Sequence, residues 1–122
     1  MKNTLTAYAL PLAAALLLAA CGSAPKSMYY WKNYNDTVYQ HLKNDDGSLG
    51  KQISKMEKYF NEANLKQQAV APGAHAHMGL LMVAAGQPEA AYTQFEAEKN
   101  LFPESSIFMD FLMKNKAKKG KK

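Results

Sequence analysis

No arginine occurs anywhere in this sequence, and cysteine and tryptophan occur once each. All fifteen cations are therefore lysines. Recognition of guanine or phosphate through a planar, bidentate guanidinium is out of reach, which argues against a nucleic-acid function. A single cysteine, Cys21, excludes an internal disulfide. Apolar runs long enough to span a bilayer, about twenty residues, are also missing: the longest runs from Leu5 to Ala20. No segment sustains the period-two alternation of a half-buried strand, so a sheet-based fold is not expected.

What charge there is lies unevenly. Six lysines fall within residues 114–122, whereas residues 21–113 hold eight lysines against ten acids. The net charge of +5 is thus a property of the C-terminal tail, and the body of the chain is mildly acidic. The hydrophobic share of 48% overstates the core, because alanines and leucines of the first twenty residues supply much of it.

Those residues have the layout of a secretory leader. Lys2 adds charge to the α-amino group, an apolar stretch follows, and small residues come before the cut. Leu18-Ala19-Ala20-Cys21 matches the bacterial lipobox. Small side chains before the cysteine admit a membrane peptidase, and the thiol is the nucleophile that takes a diacylglycerol thioether. After cleavage the new α-amino group of Cys21 accepts a further acyl chain. One chain holds a protein to a bilayer only marginally, and two or three hold it firmly. Lipidation also accounts for an unpaired cysteine in an exported protein. Gly22 stands where, in enterobacterial lipoproteins, an aspartate favours inner-membrane retention, so the outer membrane, facing the periplasm, is expected.

The expected organisation is therefore a signal peptide over 1–20, a lipidated tether over 21–27, a helical domain over 28–113 and a disordered lysine-rich tail over 114–122. Within the domain, Tyr30, Tyr34, Val38 and Leu42 recur every four residues and predict a helix over 28–43. The run 44–47, Asn-Asp-Asp-Gly, stops it. Ser48 is a plausible N-cap for a second helix over 48–67, with Ile53, Met56, Phe60 and Ala63 as its apolar set. Ala71-Pro72-Gly73 precedes a third helix over 74–85 that ends at Gly86. Pro88 suits the first turn of a fourth over 88–101, which Pro103 closes. A fifth, over 104–114, is expected to turn Ile107, Phe108, Phe111 and Leu112 to one side and to cap the preceding pair. The fold class is all-α, built of antiparallel helix hairpins.

The spacing of Gly79, Gly86, Ala91, Phe95 and Pro103 resembles the tetratricopeptide pattern. Small residues at Gly79 and Ala91 let two helices approach, and Phe95 fills the space beside them. Three positions depart from the pattern: Met82 replaces a preferred tyrosine, Glu98 a small alanine, and His75 a frequent tryptophan. More broadly, several features resemble a family of small proteobacterial lipoproteins without assigned activity. They are the lipobox, Tyr29-Tyr30-Trp31, the segment 71–76, Gly79, Glu98-Lys99 and the run 103–106. The resemblance implies a tetratricopeptide-like fold and a gene neighbourhood shared with lipoproteins similar to the curli-secretion channel. It implies no chemistry.

Candidate sites are few. His75 and His77, two apart on a helix, point to opposite faces and do not share a metal ion, and His41 is distant in sequence. Ser105 and Ser106 look like helix-start residues. Glu96, Glu98, Glu104 and Asp110 are spread along helices, with no nucleophile beside a base. No catalytic, cofactor or metal residues are expected, and the chain is not expected to be an enzyme. Cys21, the lipidation site, is the one site residue assigned. Tyr29, Tyr30, Trp31, Tyr34 and Tyr39 form either a partner-binding surface or the cover of the helix ends. The lysine tail either touches phosphates of lipid or lipopolysaccharide, meets an acidic partner, or keeps the chain soluble. The expected function is a non-enzymatic adaptor that binds another envelope protein. A carrier of a small apolar ligand and a lipid-surface structural protein are the alternatives.

Overall fold

The computed structural model describes residues 7, 8, 11, 13–15, 22, 24, 26–43 and 48–119. Cys21, the expected lipidation site, and the expected cut before it lie outside the described residues. The described chain is mostly helical, in the order β1 (Tyr29–Tyr30), α1 (Tyr34–Lys43), α2 (Leu49–Leu65), β2 (Ala69–Val70), α3 (Ala74–Ala84), α4 (Pro88–Leu101), a 3-10 turn (Pro103–Ser105) and α5 (Ser106–Lys119). Each helix packs on the next, so the all-α expectation holds.

Local chemistry sets most of the helix ends. The Ser48 hydroxyl accepts from the Lys51 N–H and caps α2, as expected. Pro88 sits in the first turn of α4, where its missing N–H costs no bond. Gly86 adopts φ 77 after α3; its N–H bonds to the Val83 carbonyl, and the Gln87 N–H bonds to that of Met82. That pair of bonds is a Schellman stop. A second one closes α2. Gln67, at φ 50, bonds to the Asn64 carbonyl, and Gln68 bonds to that of Ala63. A side chain is therefore held in the left-handed region that glycine usually occupies.

The first helix is shorter than expected. Tyr29 and Tyr30 form a strand that pairs in parallel with Ala69 and Val70, and Asn33, at φ 64, turns the chain before α1 starts. A two-residue strand is too short to show an alternating pattern, so composition carries no signal for it.

Two clusters make the core. The first gathers Tyr30, Tyr34, Met56, Tyr59, Ala63, Ala71, Ala74, Met78 and Leu81 around β1, α1, α2 and α3. The second gathers Ala91, Phe95, Met109 and Met113 between α4 and α5, and Met82 touches both. The α3–α4 crossing depends on the small residue expected there: a Cβ on Gly79 would lie 2.7 Å from Phe95 Cδ1. Ala91 and Phe95 are fully buried beside it.

The facing of α5 corrects the sequence expectation. Met109 and Met113, with Leu112 partly buried, turn inward. Ile107, Phe108 and Phe111 turn outward instead, at 87%, 56% and 56% exposure. From 107 to 113 the helix is apolar on nearly every side, so periodicity alone does not choose the face; the shape of the ground around Phe95 does. Helical backbone also runs beyond the expected end at 114 as far as Lys119. Lysine and alanine are good helix formers, and cations suit a helix C-terminus.

Candidate functional site

The N-terminal edge of the domain is held by hydrogen bonds that converge on Tyr59. Its hydroxyl donates to the Tyr30 carbonyl at 2.5 Å and accepts from the Ala71 N–H at 2.8 Å, so one side chain ties β1, α2 and the end of β2. The Tyr59 ring stacks on Tyr30 with centroids 5.5 Å apart and leans on Tyr34 at 5.6 Å. Burial pushes the Tyr59 and Tyr34 phenols up, Tyr34 to about 12. The Tyr30 hydroxyl donates to Glu62 at 2.6 Å. That bond raises the Tyr30 phenol to about 12 and lowers the Glu62 carboxyl. Ahead of β1, Gln68 Nε2 donates to the Ser27 carbonyl at 3.0 Å, so the chain is fixed to the body from Ser27 onward.

The five aromatic residues singled out above divide between core and surface. Tyr30 and Tyr34 are buried, and Tyr29 is half-buried against Phe102, centroids 5.9 Å apart. Trp31 and Tyr39 face out. Along the outer row of α1, Asn35, Tyr39 and Leu42 lie at i, i+4 and i+7, all exposed, Tyr39 at 63% and Leu42 at 78%. Lys43 Nζ sits 5.9 Å above the Tyr39 ring. Between α1 and α2 runs a cleft of about 240 Å3 lined by Asn33, Asp36, Thr37, Gln40, Lys55, Lys58 and Tyr59. Lys55 Nζ donates to Gln40 Oε1 across it at 2.7 Å. Its lining residues are polar or charged apart from the Tyr59 ring, and its volume lies below the roughly 300 Å3 at which small-molecule sites begin.

The titratable candidates mostly serve the fold. Gly73, the N-cap of α3, has no side chain to cap with, and Glu98 of α4 does that work from across the hairpin. Its carboxylate accepts from the Gly73 N–H at 2.6 Å and the Ala76 N–H at 3.3 Å. A negative group at a helix N-terminus is also favoured by the helix dipole. This explains a buried glutamate where the tetratricopeptide pattern has alanine. Lys99 pairs with Asp110 at 2.8 Å and with Glu96 at 3.8 Å, joining α4 to α5. The Ser105 hydroxyl donates to the Phe102 carbonyl at 2.7 Å, and that of Ser106 donates to Pro103. Both hydroxyls are taken up in the turn before α5. Glu104 is exposed.

His75 and His77 face apart, as their spacing requires. His75 bonds through Nδ1 to Gln94 Oε1 at 2.7 Å and stacks on Phe60. His77 is buried against Tyr34 and, unforeseen, against His41, whose ring centroid is 5.3 Å away. Burial, helped by the His41 charge, pushes His77 down to about 4, and its Nε2 has no hydrogen-bond partner among the described residues. Among the described residues, no group of three or more His, Cys, Asp or Glu is placed to hold a metal ion. No helix among them is long and apolar enough to cross a membrane.

A family model described as a domain of unknown function, DUF4810, matches residues 28–112. No curated protein and no solved structure matches the chain.

Proposed function

The chain belongs to the DUF4810 family, and we propose that it acts as a lipid-anchored adaptor of the bacterial envelope. On this reading Cys21 carries the lipid, the anchor sits in the outer membrane, and the helical domain faces the periplasm. There it binds another envelope protein without catalysing a reaction. The lipobox at residues 18–21 supports the anchor, and Gly22 supports the choice of membrane.

The observation that carries the adaptor role is the outer row of α1. Tyr39 and Leu42 are left in water at 63% and 78% exposure, an apolar pair that no other part of the described chain covers. Tyrosine is enriched at protein interfaces because its ring gives large contact area with a polar end and little rotamer freedom to lose. The tetratricopeptide-like hairpin adds an argument by fold analogy, since that repeat elsewhere binds proteins.

Site-specific photo-crosslinking in intact cells tests the proposal. With the photoreactive side chain at 39 or 42, one discrete envelope protein should be captured. At exposed Asn64, on the C-terminal part of α2, it should not. Equal capture from all three positions, or none from 39 and 42 while Cys21 is acylated, removes the adaptor reading.

A further inference from the structure

We infer that the end of the helix array from which the tether leaves rests on the bilayer surface, with Met28 and Trp31 at the level of the lipid headgroups. The inference rests on the reading of Cys21 as the anchor, and adds to it the face that the anchored domain turns to the membrane.

The reach of the chain carries it. The Ser27 carbonyl accepts from Gln68 at 3.0 Å, and the Ser27 hydroxyl donates to the Tyr29 carbonyl at 2.8 Å, so the body begins at Ser27. Six residue steps separate Ser27 from Cys21. Fully extended they span about 20 Å, and in any other conformation less. An acyl group on Cys21 therefore holds Ser27 within about 20 Å of the headgroups. From the Ser27 end, α2 runs back through 17 residues, about 25 Å at 1.5 Å per residue, so its first turn lies at the far end of the domain.

Three contacts fix which residues share the tether end. Gln68, just past α2, reaches Ser27; Tyr29 packs on Phe102, just past α4; and Glu98 in the last turn of α4 caps the start of α3. Here Met28, Trp31 and Leu65, the last residue of α2, are left in water. The Trp31 ring is held in place, 6.3 Å from Tyr29 and 6.1 Å from Tyr34 between centroids. Tryptophan and tyrosine are enriched at the headgroup level of membranes, where an apolar ring with a polar edge suits both sides of the boundary. Exposed Lys32 and Lys66 flank Trp31 and Leu65, and lysine stems reach from such a boundary to the headgroups. Asp36 and Glu104 are exposed acids at the same end, and Glu62 is taken up by the Tyr30 hydroxyl. The charges thus nearly balance, and the contact is apolar in origin and needs no anionic lipid. The tether delivers a bilayer, and no other partner, to this end, which commits the occupant to lipid. The arrangement also sets the height of the outer row of α1: Leu42 lies eight residues past Tyr34, about 12 Å further from the tether end.

Trp31 is the one tryptophan in the chain, so the native protein carries its own depth reporter. The protein purified from its native membranes is reconstituted into phosphatidylcholine vesicles whose acyl chains carry bromine near the carbonyl end, with unbrominated vesicles as reference. A comparison variant, Trp31→Phe with Lys51→Trp, moves the reporter to the exposed first turn of α2. A third protein keeps Trp31 and has a flexible insert of about twenty glycines and serines between Ala24 and Pro25, which lets the domain leave the surface unless its face binds there. Circular dichroism checks that each is folded.

Trp31 should lose most of its emission to the brominated lipid, with the short tether and the long one alike, while the reporter at 51 keeps nearly all of its own. Equal quenching at 31 and 51 overturns the inference. So does quenching of Trp31 that disappears with the long tether, since the tether alone then sets the distance. An emission from Trp31 that is blue-shifted yet unquenched puts the ring against protein, a second copy of the chain, and overturns it too. Mass spectrometry of the same preparation separates this result from the anchor itself. An acylated chain with an unquenched Trp31 overturns the inference alone, whereas a chain without an acyl group removes the anchor and the inference together.

Discussion

Replacing Tyr59 by phenylalanine deletes one oxygen from the centre of the N-terminal half. The ring stays, with its stacking on Tyr30 and Tyr34, and the change in volume is small. What goes is the bridge. The Ala71 N–H loses its 2.8 Å acceptor, and the Tyr30 carbonyl loses its 2.5 Å donor. Both groups are buried with Tyr59, and water does not replace the hydroxyl without opening the β1–β2 pair. A buried polar group left unpaired costs about 1–3 kcal/mol, and a carbonyl with a second lone pair suffers less than an N–H. The two together come to about 2–4 kcal/mol. A domain of this size loses about 4–8 °C of melting temperature for each kcal/mol. The expected fall in Tm is therefore on the order of 10–25 °C, read by circular dichroism on the same preparation as the parent. Tyr30→Phe is the internal control. It removes the same atom from a hydroxyl that bonds to the part-exposed Glu62, and its effect should be far smaller. A Tyr59→Phe variant within about 0.5 kcal/mol of the parent, or one no worse than Tyr30→Phe, refutes the assignment of Tyr59 as the tie between strand and helix.

Glu98→Ala restores the residue the tetratricopeptide pattern prefers, yet it should destabilise by about 1–3 kcal/mol, because the half-buried Gly73 and Ala76 N–H groups lose a carboxylate acceptor; urea unfolding measures it, and a neutral result refutes the capping role. Gln67→Gly should stabilise by about 0.5–1 kcal/mol, the relief of a left-handed side chain less the added freedom of the unfolded chain; loss of stability in the same assay contradicts it. His77 has its basicity depressed from 6.5 to about 4, so the unfolded chain binds a proton more readily than the folded one across that interval. Its stabilising contribution is complete above pH 6.5 and is lost as pH falls toward 4. A pH series of urea midpoints should show that decline, and His77→Phe should flatten it; an unchanged slope in the variant assigns the decline to other groups.

The helices whose limits were legible in the sequence are those whose ends are decided locally. Ser48 caps α2 with its own hydroxyl, and Pro88 starts α4. Gly86 stops α3, and each acts within one turn of its position. The Gly79, Ala91 and Phe95 spacing was legible for a related reason, since two helices joined by a short turn have little choice of contact. Features decided across the fold were not. The pairing of Tyr29 and Tyr30 with Ala69 and Val70 leaves no mark in a two-residue pattern, and its organiser, Tyr59, is 29 residues from Tyr30. Glu98 reads as a surface acid until Gly73, 25 residues earlier, is seen to need an acceptor. The approach of His41 to His77 likewise depends on how α1 lies on α3. On α5, apolar residues occur on both sides, and the fit of Met109 and Met113 near Phe95 decided which side went in. The proposed lipidation site, Cys21, is the reverse case: the proposal rests on the linear motif at residues 18–21 and takes nothing from the folded domain.

Mass spectrometry of the protein purified from its native membranes tests the anchor most directly. The expected result is a mature chain that begins at Cys21 and carries a diacylglycerol thioether together with an acyl group on its amine. A chain still bearing residues 1–20, or one beginning with a free and unmodified Cys21, contradicts it, and the membrane-bound adaptor falls with it.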